Sequence, residues 1–485
     1  MAQAALEKQA PGFQGPLCWL LSGSVGVILG AVVGLGITGL ESRPAAPEIP
    51  LWLVLPFVFL LGSMALTPLF FPRFWARHYP DFALFLGGAI SACYLLGLGS
   101  HGREKMGHAA VEYFQFIALV GGLYILSGGI LIEVRGPSRP WVNTALLAVG
   151  AVLANVLGTT GAAMLLLRPF LRLNQGRIKA FHVVFFIFIV ANCGGLLTPI
   201  GDPPLFMGYL KGVPFTWTIT NLWPQWLFVN GLLLTLFFLF DWRCGGHFSA
   251  SAGQAGIGIK GGLNLFFLLL FIASILLDSA LKELTGRYDL PFGALLQAGL
   301  AGVSLRFGNR EIRQKNEFTF HPLQEVAFLF FGIFATMVPA LSYLEQSASR
   351  LGLQTPAAFY FATGALSALL DNAPTYLCFL QLSFGLFGLD LNPANFHEFL
   401  SATHLPATSS AAPLALAGRQ VLAAISTGAV FFGALTYIGN GPNFMVKAIA
   451  ESAGVKMPSF LGYMGYSLLL LLPILGLNWW LLGMH

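Results

Sequence analysis

Two acidic residues, Asp202 and Asp371, lie inside long apolar stretches of this 485-residue chain. A carboxylate at membrane depth is costly, so each is a candidate working group. There it could exchange a proton for a metal cation. Oxygen-bearing residues gather near both acids. Asn155, Thr159, Thr160, Thr198 and Gly201 form one group, and Asn372, Thr375, Thr436, Gly439 and Asn440 form the other. Hard cations such as sodium take oxygen ligands of this kind, and the carbonyl end of a broken helix adds more. A plainer role is open to each residue. Asp202 precedes Pro203, as an N-cap does when proline takes the first helical position. Asn440 and Asp371 would cap in the same way, and Asn and Thr can simply hold helices together.

The elements that must position these residues are apolar runs near 16–40, 51–72, 82–98, 113–133, 141–170, 181–208, 217–240, 263–282, 290–305, 323–345, 357–385, 412–446 and 461–484. Most have about the 20 residues needed to cross a bilayer. Runs 141–170 and 357–385 differ because their centres are polar and helix-breaking, Asn155 to Gly161 in one and Asp371 to Thr375 in the other. Non-helical backbone at membrane depth needs protein or a watery cavity around it, so both runs are expected to be re-entrant hairpins. The segment after each hairpin is a repeat of the other. Gly195, Thr198, Ile200, Gly201, Pro204, Phe206 and Met207 match Gly433, Thr436, Ile438, Gly439, Pro442, Phe444 and Met445, with Asp202 opposite Asn440. The chain therefore reads as a duplicated unit of hairpin plus broken helix. A loop with Arg172, Arg177 and Lys179 comes after the first hairpin, whereas loop 386–411 after the second has Asp390 and Glu398 and no Lys or Arg. That asymmetry makes the two copies inverted, the pattern of a secondary transporter with its site near the midplane.

Composition agrees with a membrane protein. Charged residues make up 9% of the chain and hydrophobic ones 56%, whereas a soluble domain carries roughly 25% charged residues. The fold expected is all-α and polytopic, with about eleven transmembrane helices plus the two hairpins in two inverted repeats. Residues 1–112 would be scaffold helices. The first repeat would span 113–243, with hairpin 141–170 and broken helix 181–208. A Gly/Ser-rich linker at 244–262 would lead to a second repeat at 263–485, with hairpin 357–385 and broken helix 412–446. Arg168, Arg172, Arg177 and Lys179 form one basic cluster and Arg306, Arg310, Arg313 and Lys315 another, both expected in the cytoplasm. The N-terminus is then inside and the C-terminus outside. Residues 1–15 are polar and the run after them is too long for a signal peptide.

Other features point away from soluble chemistry. The net charge of +5 lies in short loops and implies no nucleic-acid partner. The five cysteines are scattered, and no Walker A, HExxH or Cys/His cluster occurs, so an enzyme is not expected. Glu112, Glu133, Arg135, Glu325, Asp278 and Lys282 fall near span ends, where long side chains reach the interface. His182 is expected at the interface as well, and Arg419 near the outer mouth of the last broken helix. Gly-x-x-x-Gly spacings are too frequent among 57 glycines to be informative.

The segments Asn192 to Pro204 and Tyr437 to Lys447, with Leu369 to Tyr376, resemble the ion transporter superfamily over most of the chain from Tyr113. That group includes arsenite permeases, divalent-anion/sodium symporters, citrate carriers and a branch of bacterial sodium/proton antiporters, the last two being the nearest in pattern. The resemblance implies a scaffold and a transport domain moving like an elevator, often in a homodimer. It also implies cation sites at Asn155, Thr159, Thr198, Asn372, Thr375 and Thr436. The Ser-Asn-Thr tip of dicarboxylate carriers is replaced here by Asn-Val-Leu-Gly-Thr-Thr and Asp-Asn-Ala-Pro-Thr. Two buried acids repel an organic anion unless they are protonated, so sodium/proton antiport across the inner (plasma) membrane is the leading expectation. No cofactor is expected beyond sodium and protons as transported or coupling ions. The alternative is a carrier of citrate or another organic anion coupled to sodium or protons. A passive channel comes third, because it has no need of duplicated hairpins.

Overall fold

The computed structural model describes residues 14–37, 49–244, 256–285, 290–403 and 417–483. In chain order it contains α1 (Gln14–Ile37), α2 (Leu55–Phe70), α3 (Pro72–Gly97), α4 (Gly99–Gly128) and strand β1 (Leu131–Arg135). Next come α5 (Pro140–Leu173), α6 (Ala180–Ile189), α7 (Pro203–Lys211), α8 (Trp217–Cys244) and strand β2 (Gly256–Lys260). These are followed by α9 (Gly262–Thr285), α10 (Phe292–Phe307), α11 (Arg310–Lys315), α12 (His321–Ser347), α13 (Pro356–Leu369) and α14 (Asn372–Leu386). The last are α15 (Phe396–Ser401), α16 (Gly418–Phe432), α17 (Gly441–Ser452), α18 (Phe460–Tyr466) and α19 (Leu472–Leu482).

The protein is a mostly helical, polytopic membrane protein. Among the described residues ten segments are long and apolar enough to cross a bilayer, against about eleven expected. The difference has a simple origin. The apolar stretches at 262–278 and 292–307 are short, while α5 has the length of a span although it is expected as a hairpin. The all-helical expectation also gives way at one place. Of the linker expected at 244–262, residues 245–255 lie outside the described residues, and Gly256–Lys260 pairs with β1 as an antiparallel ribbon. Outside the described residues too are 1–13, the last part of loop 386–411 (404–411) and the start of the expected broken helix at 412–416.

Contacts divide the described residues into two units, one drawn from Met1–Ile117, Phe320–Gln354 and Leu377–Gly418, the other from Ala118–Thr319, Thr355–Tyr376 and Arg419–His485. In the first unit α1 lies on α3 through glycines. A Cβ on Gly26 would meet the Phe85 carbonyl at 2.2 Å, one on Gly30 the Ala89 carbonyl at 1.9 Å, and one on Gly34 the Cys93 carbonyl at 2.8 Å. Small residues every fourth position let membrane helices approach this closely, so here the Gly-x-x-x-Gly spacing is informative after all.

The second unit is built around two interrupted helices. The segments Ala180–Leu197 and Gly418–Leu435 are each 89% buried, more than any other candidate span, and so form its centre. α6 gives way to a short 3-10 turn at Cys193–Leu197, and α7 resumes after Asp202. α16 gives way in the same manner at Gly433–Leu435, and α17 resumes after Asn440. Both interruptions fold over a glycine pair. A Cβ on Gly201 would meet the Gly195 carbonyl at 2.1 Å, and one on Gly439 the Gly433 carbonyl at 2.7 Å.

α5 turns back on itself. Gly158 sits at φ 72° and ψ 156°, a region that only glycine adopts readily. A straight helix of 34 residues would be about 51 Å long, yet Asn143 and Asn174 at its two ends exchange amide hydrogen bonds of 2.8 and 2.9 Å. In the second half, α13 ends at Leu369, Leu370 is extended, and α14 starts at Asn372.

Candidate functional site

Asp202 stands at the N-cap position of α7, but its side chain makes no capping bond. The carboxylate is buried (1% exposed) and faces three donors from distant parts of the chain. Oδ1 accepts from Thr159 Oγ1 at 2.8 Å and from Asn440 Nδ2 at 2.9 Å. Oδ2 accepts from Asn372 Nδ2 at 2.7 Å. Both folded segments and the second interrupted helix therefore converge on one acid. Asn440, the repeat counterpart of Asp202, is at the N-cap of α17 and likewise spends its side chain on Asp202 rather than on a cap.

Asp371 is different. It is half-buried, and its Oδ1 accepts from the Ala373 amide at 3.1 Å, which is a local cap at the start of α14. Its carbonyl accepts from Thr375 Oγ1 at 2.9 Å. The two acids that look alike in the sequence thus have different partners.

The other expected site residues are divided between bracing and lining. Asn155 is fully engaged, with Nδ2 on the Ala151 and Gly194 carbonyls at 2.9 and 2.7 Å and Oδ1 on the Leu197 amide at 2.8 Å. Thr198 Oγ1 donates to the Asn155 carbonyl at 2.5 Å, and Thr436 Oγ1 donates to the Ala368 carbonyl at 2.5 Å. These are matching braces in the two copies. The Thr159 amide donates to the Gly201 carbonyl at 2.8 Å, and the Gly439 amide donates to Thr436 Oγ1 at 3.1 Å. A cavity beside Asp202 is lined by Leu123, Gly158, Thr159, Thr160 and Gly201.

Two residues outside the expected set complete the site. Asn192 donates Nδ2 to Asn443 Oδ1 at 2.7 Å and accepts from Asn440 Nδ2 at 3.1 Å. Asn443 in turn donates to the Gly433 and Thr436 carbonyls at 2.8 and 2.9 Å. In the common repeat frame Asn192 falls opposite Val430 and Asn443 opposite Leu205, so repeat matching passes over both. Their signal is instead a buried amide within an apolar run.

Among the described residues no three His, Cys, Asp or Glu side chains could hold a metal together. A cation here would depend on Asp202 and neutral oxygens. Asn372 Oδ1 suits that role, since it is buried with no hydrogen-bond partner among the described residues.

A second polar cluster closes the base of α5, and it corrects two expectations. His182 is fully buried rather than interfacial, with Nε2 at 3.0 Å from Asp241 Oδ1. Arg177 is buried rather than a solvated loop charge, and it pairs with the same carboxylate. Asn143 Nδ2 donates to Asp241 Oδ2 at 2.8 Å, and Ser138 Oγ donates to Asn174 Oδ1 at 2.6 Å. Asp241 on α8 is thus the anchor for both ends of α5. Glu133 and Arg135 are also displaced from span ends, for they lie on β1. Asp278 and Lys282 pair at 2.8 Å along α9.

Residues 46–482 match a family model described as "Putative citrate transport". No curated protein matches the chain.

Proposed function

The chain belongs to this citrate-transport family, and on that premise we propose that it is a secondary transporter that moves citrate or a related organic anion together with protons, with Asp202 as the coupling acid. The observation that carries the reading is a buried carboxylate that, among the described residues, is held by the neutral donors Thr159, Asn372 and Asn440. An organic anion brought near an ionised Asp202 meets like-charge repulsion, and a proton on Asp202 removes it. Anion and proton then favour each other's binding, which is the linkage that symport requires. The neutral partners serve both states. Asn372 donates Nδ2 to the ionised carboxylate, and with its amide turned over it would offer Oδ1 to the protonated acid.

The repeat supports a wider reading. α5 and the α13–α14 pair act as re-entrant hairpins that open to opposite sides, in two inverted repeats around the site. An elevator-like movement and a homodimer are taken from the family resemblance. The protein resides in the plasma membrane with its N-terminus cytoplasmic and its C-terminus outside, in keeping with its basic loops. Sodium/proton antiport is the second reading. It is favoured by Asn372 Oδ1, which has no hydrogen-bond partner among the described residues and lies next to an acid, an arrangement that accepts a cation.

The two readings move protons in opposite directions. In vesicles with an internal pH dye, external citrate should acidify the lumen as protons enter with it, and Asp202→Asn should abolish the response. Lumen alkalinisation on adding sodium, with no response to citrate, would overturn symport in favour of antiport.

A further inference from the structure

The β1–β2 ribbon has no part in the transport reading, and it has one apolar face. Ile132 pairs with Ile259 and Val134 with Ile257, so all four side chains share that face. Ile257 and Ile259 are 74% and 60% exposed. The opposite face is charged. Glu133 accepts from Lys260 at 3.0 Å and from Arg135 at 3.0 Å. The hydrogen bond from Lys260, with Arg135 beside it, holds the Glu133 carboxyl below its usual range, so this acid stays ionised and the ribbon keeps a net positive charge.

Its place relative to the bilayer is narrowly set. β1 begins three residues after α4 ends, and β2 ends two residues before α9 begins. Gly261 at φ 100° folds so tightly that a Cβ there would meet the Gly129 carbonyl at 2.3 Å, which pins the foot of the ribbon to the end of α4. A five-residue strand is about 17 Å long, and each headgroup layer is about 5–8 Å thick. A ribbon rooted at the ends of apolar helices therefore lies in or across that layer.

The surroundings are basic. Asn316, just after α11, donates Nδ2 to the Ile130 carbonyl at 2.7 Å, which brings the exposed Arg310 and Lys315 to the foot of the ribbon. On the far side of β1, Ser138 holds Asn174, with the exposed Arg139 and Arg172 near by in the chain.

We infer that the β1–β2 ribbon is a membrane-surface anchor that seats Ile257 and Ile259 at the headgroup–acyl boundary and takes anionic phospholipid headgroups between its basic neighbours. An apolar face flanked by Lys and Arg binds a bilayer in this way, through buried apolar area together with attraction to acidic lipid.

The test uses the full chain in vesicles, with its native cysteines replaced and a fluorophore on Ile259→Cys or, as a control exposed on α11, on Gln314→Cys. A spin-labelled lipid should quench the label at 259 several-fold more than that at 314, and phosphatidylglycerol added to phosphatidylcholine should strengthen the effect. Arg135→Gln with Lys260→Gln should weaken the dependence on phosphatidylglycerol, and adding Arg310→Gln and Lys315→Gln should remove most of what is left, while lipid quenching remains. Equal access of aqueous iodide to both positions would overturn the inference. So would shielding of 259 from both quenchers, since a protein surface such as a second copy of the chain would then cover the ribbon. Lipid quenching indifferent to phosphatidylglycerol would overturn the headgroup preference. None of these readings requires transport.

Discussion

A carboxylate withdrawn from water depends on the donors around it, and Asp202 has three from three separate stretches of chain. Asp202→Asn keeps the shape, but its amide N–H can be met only if Asn372 turns over, which moves the Asn372 Nδ2 donor to where Oδ1 has no partner among the described residues. It should lose proton-coupled uptake in vesicles, and its stability should fall by about 1–3 kcal/mol in thermal unfolding, the cost of an unmet buried donor. Asp371 serves its own helix instead. Asp371→Ala should cost about 1 kcal/mol, as the loss of a cap does, and should leave uptake within a few-fold of the parent. Abolished uptake in a well-folded Asp371→Ala would assign it a titrating role as well. Both acids were legible in the sequence because charge inside an apolar run stands out. Their different roles were not, because the partners of Asp202 lie 43, 170 and 238 residues away. Asn192 and Asn443 were missed for a related reason. They bridge the two copies at positions where the copies differ, so a search for matched residues cannot find them.

At the scale of elements, the breaks were legible because glycine, proline and polar residues interrupt apolar runs, and the matching glycine pairs Gly195/Gly201 and Gly433/Gly439 do cross at both breaks. Gly201→Ala should prevent folding, since its Cβ would meet backbone at 2.1 Å, whereas Gly441→Ala faces open space and should fold normally. The yield of monodisperse protein in detergent separates the two. Gly158→Ala should cost about 1–3 kcal/mol from its backbone conformation alone. The clasp at the base of α5 was not legible. Its charges resemble loop markers, and nothing local shows that Arg177 and His182 meet Asp241 on another helix. Asp241→Asn leaves the buried Arg177 without its carboxylate, which should cost about 3–5 kcal/mol. Adding Arg177→Met should restore part of that loss, a non-additivity readable in thermal unfolding of the single and double variants.

For the molecule as a whole, the sidedness of the second unit rests on charge once the two basic clusters are seen together. They are more than a hundred residues apart in sequence, yet Arg168 pairs with Glu317 at 2.7 Å. Arg313 donates to the Ile125 carbonyl at 2.9 Å, and Asn316 to the Gly128 carbonyl at 3.0 Å. One end of this unit therefore carries both clusters. Basic loops are retained in the cytoplasm, and two clusters on one end act in the same direction. In the sequence each cluster is assigned to the cytoplasm by its charge, and the count of spans between them agrees only if some runs do not cross. The contacts make their common side independent of that count. Gln175 and Gln314 are exposed, one in each cluster. In a chain freed of native cysteines, Gln175→Cys and Gln314→Cys should both react with an impermeant thiol reagent in inside-out vesicles and both be protected in right-side-out ones. Labelling of the two from opposite sides would contradict the shared end, and labelling of both from outside would reverse the orientation while leaving the fold intact.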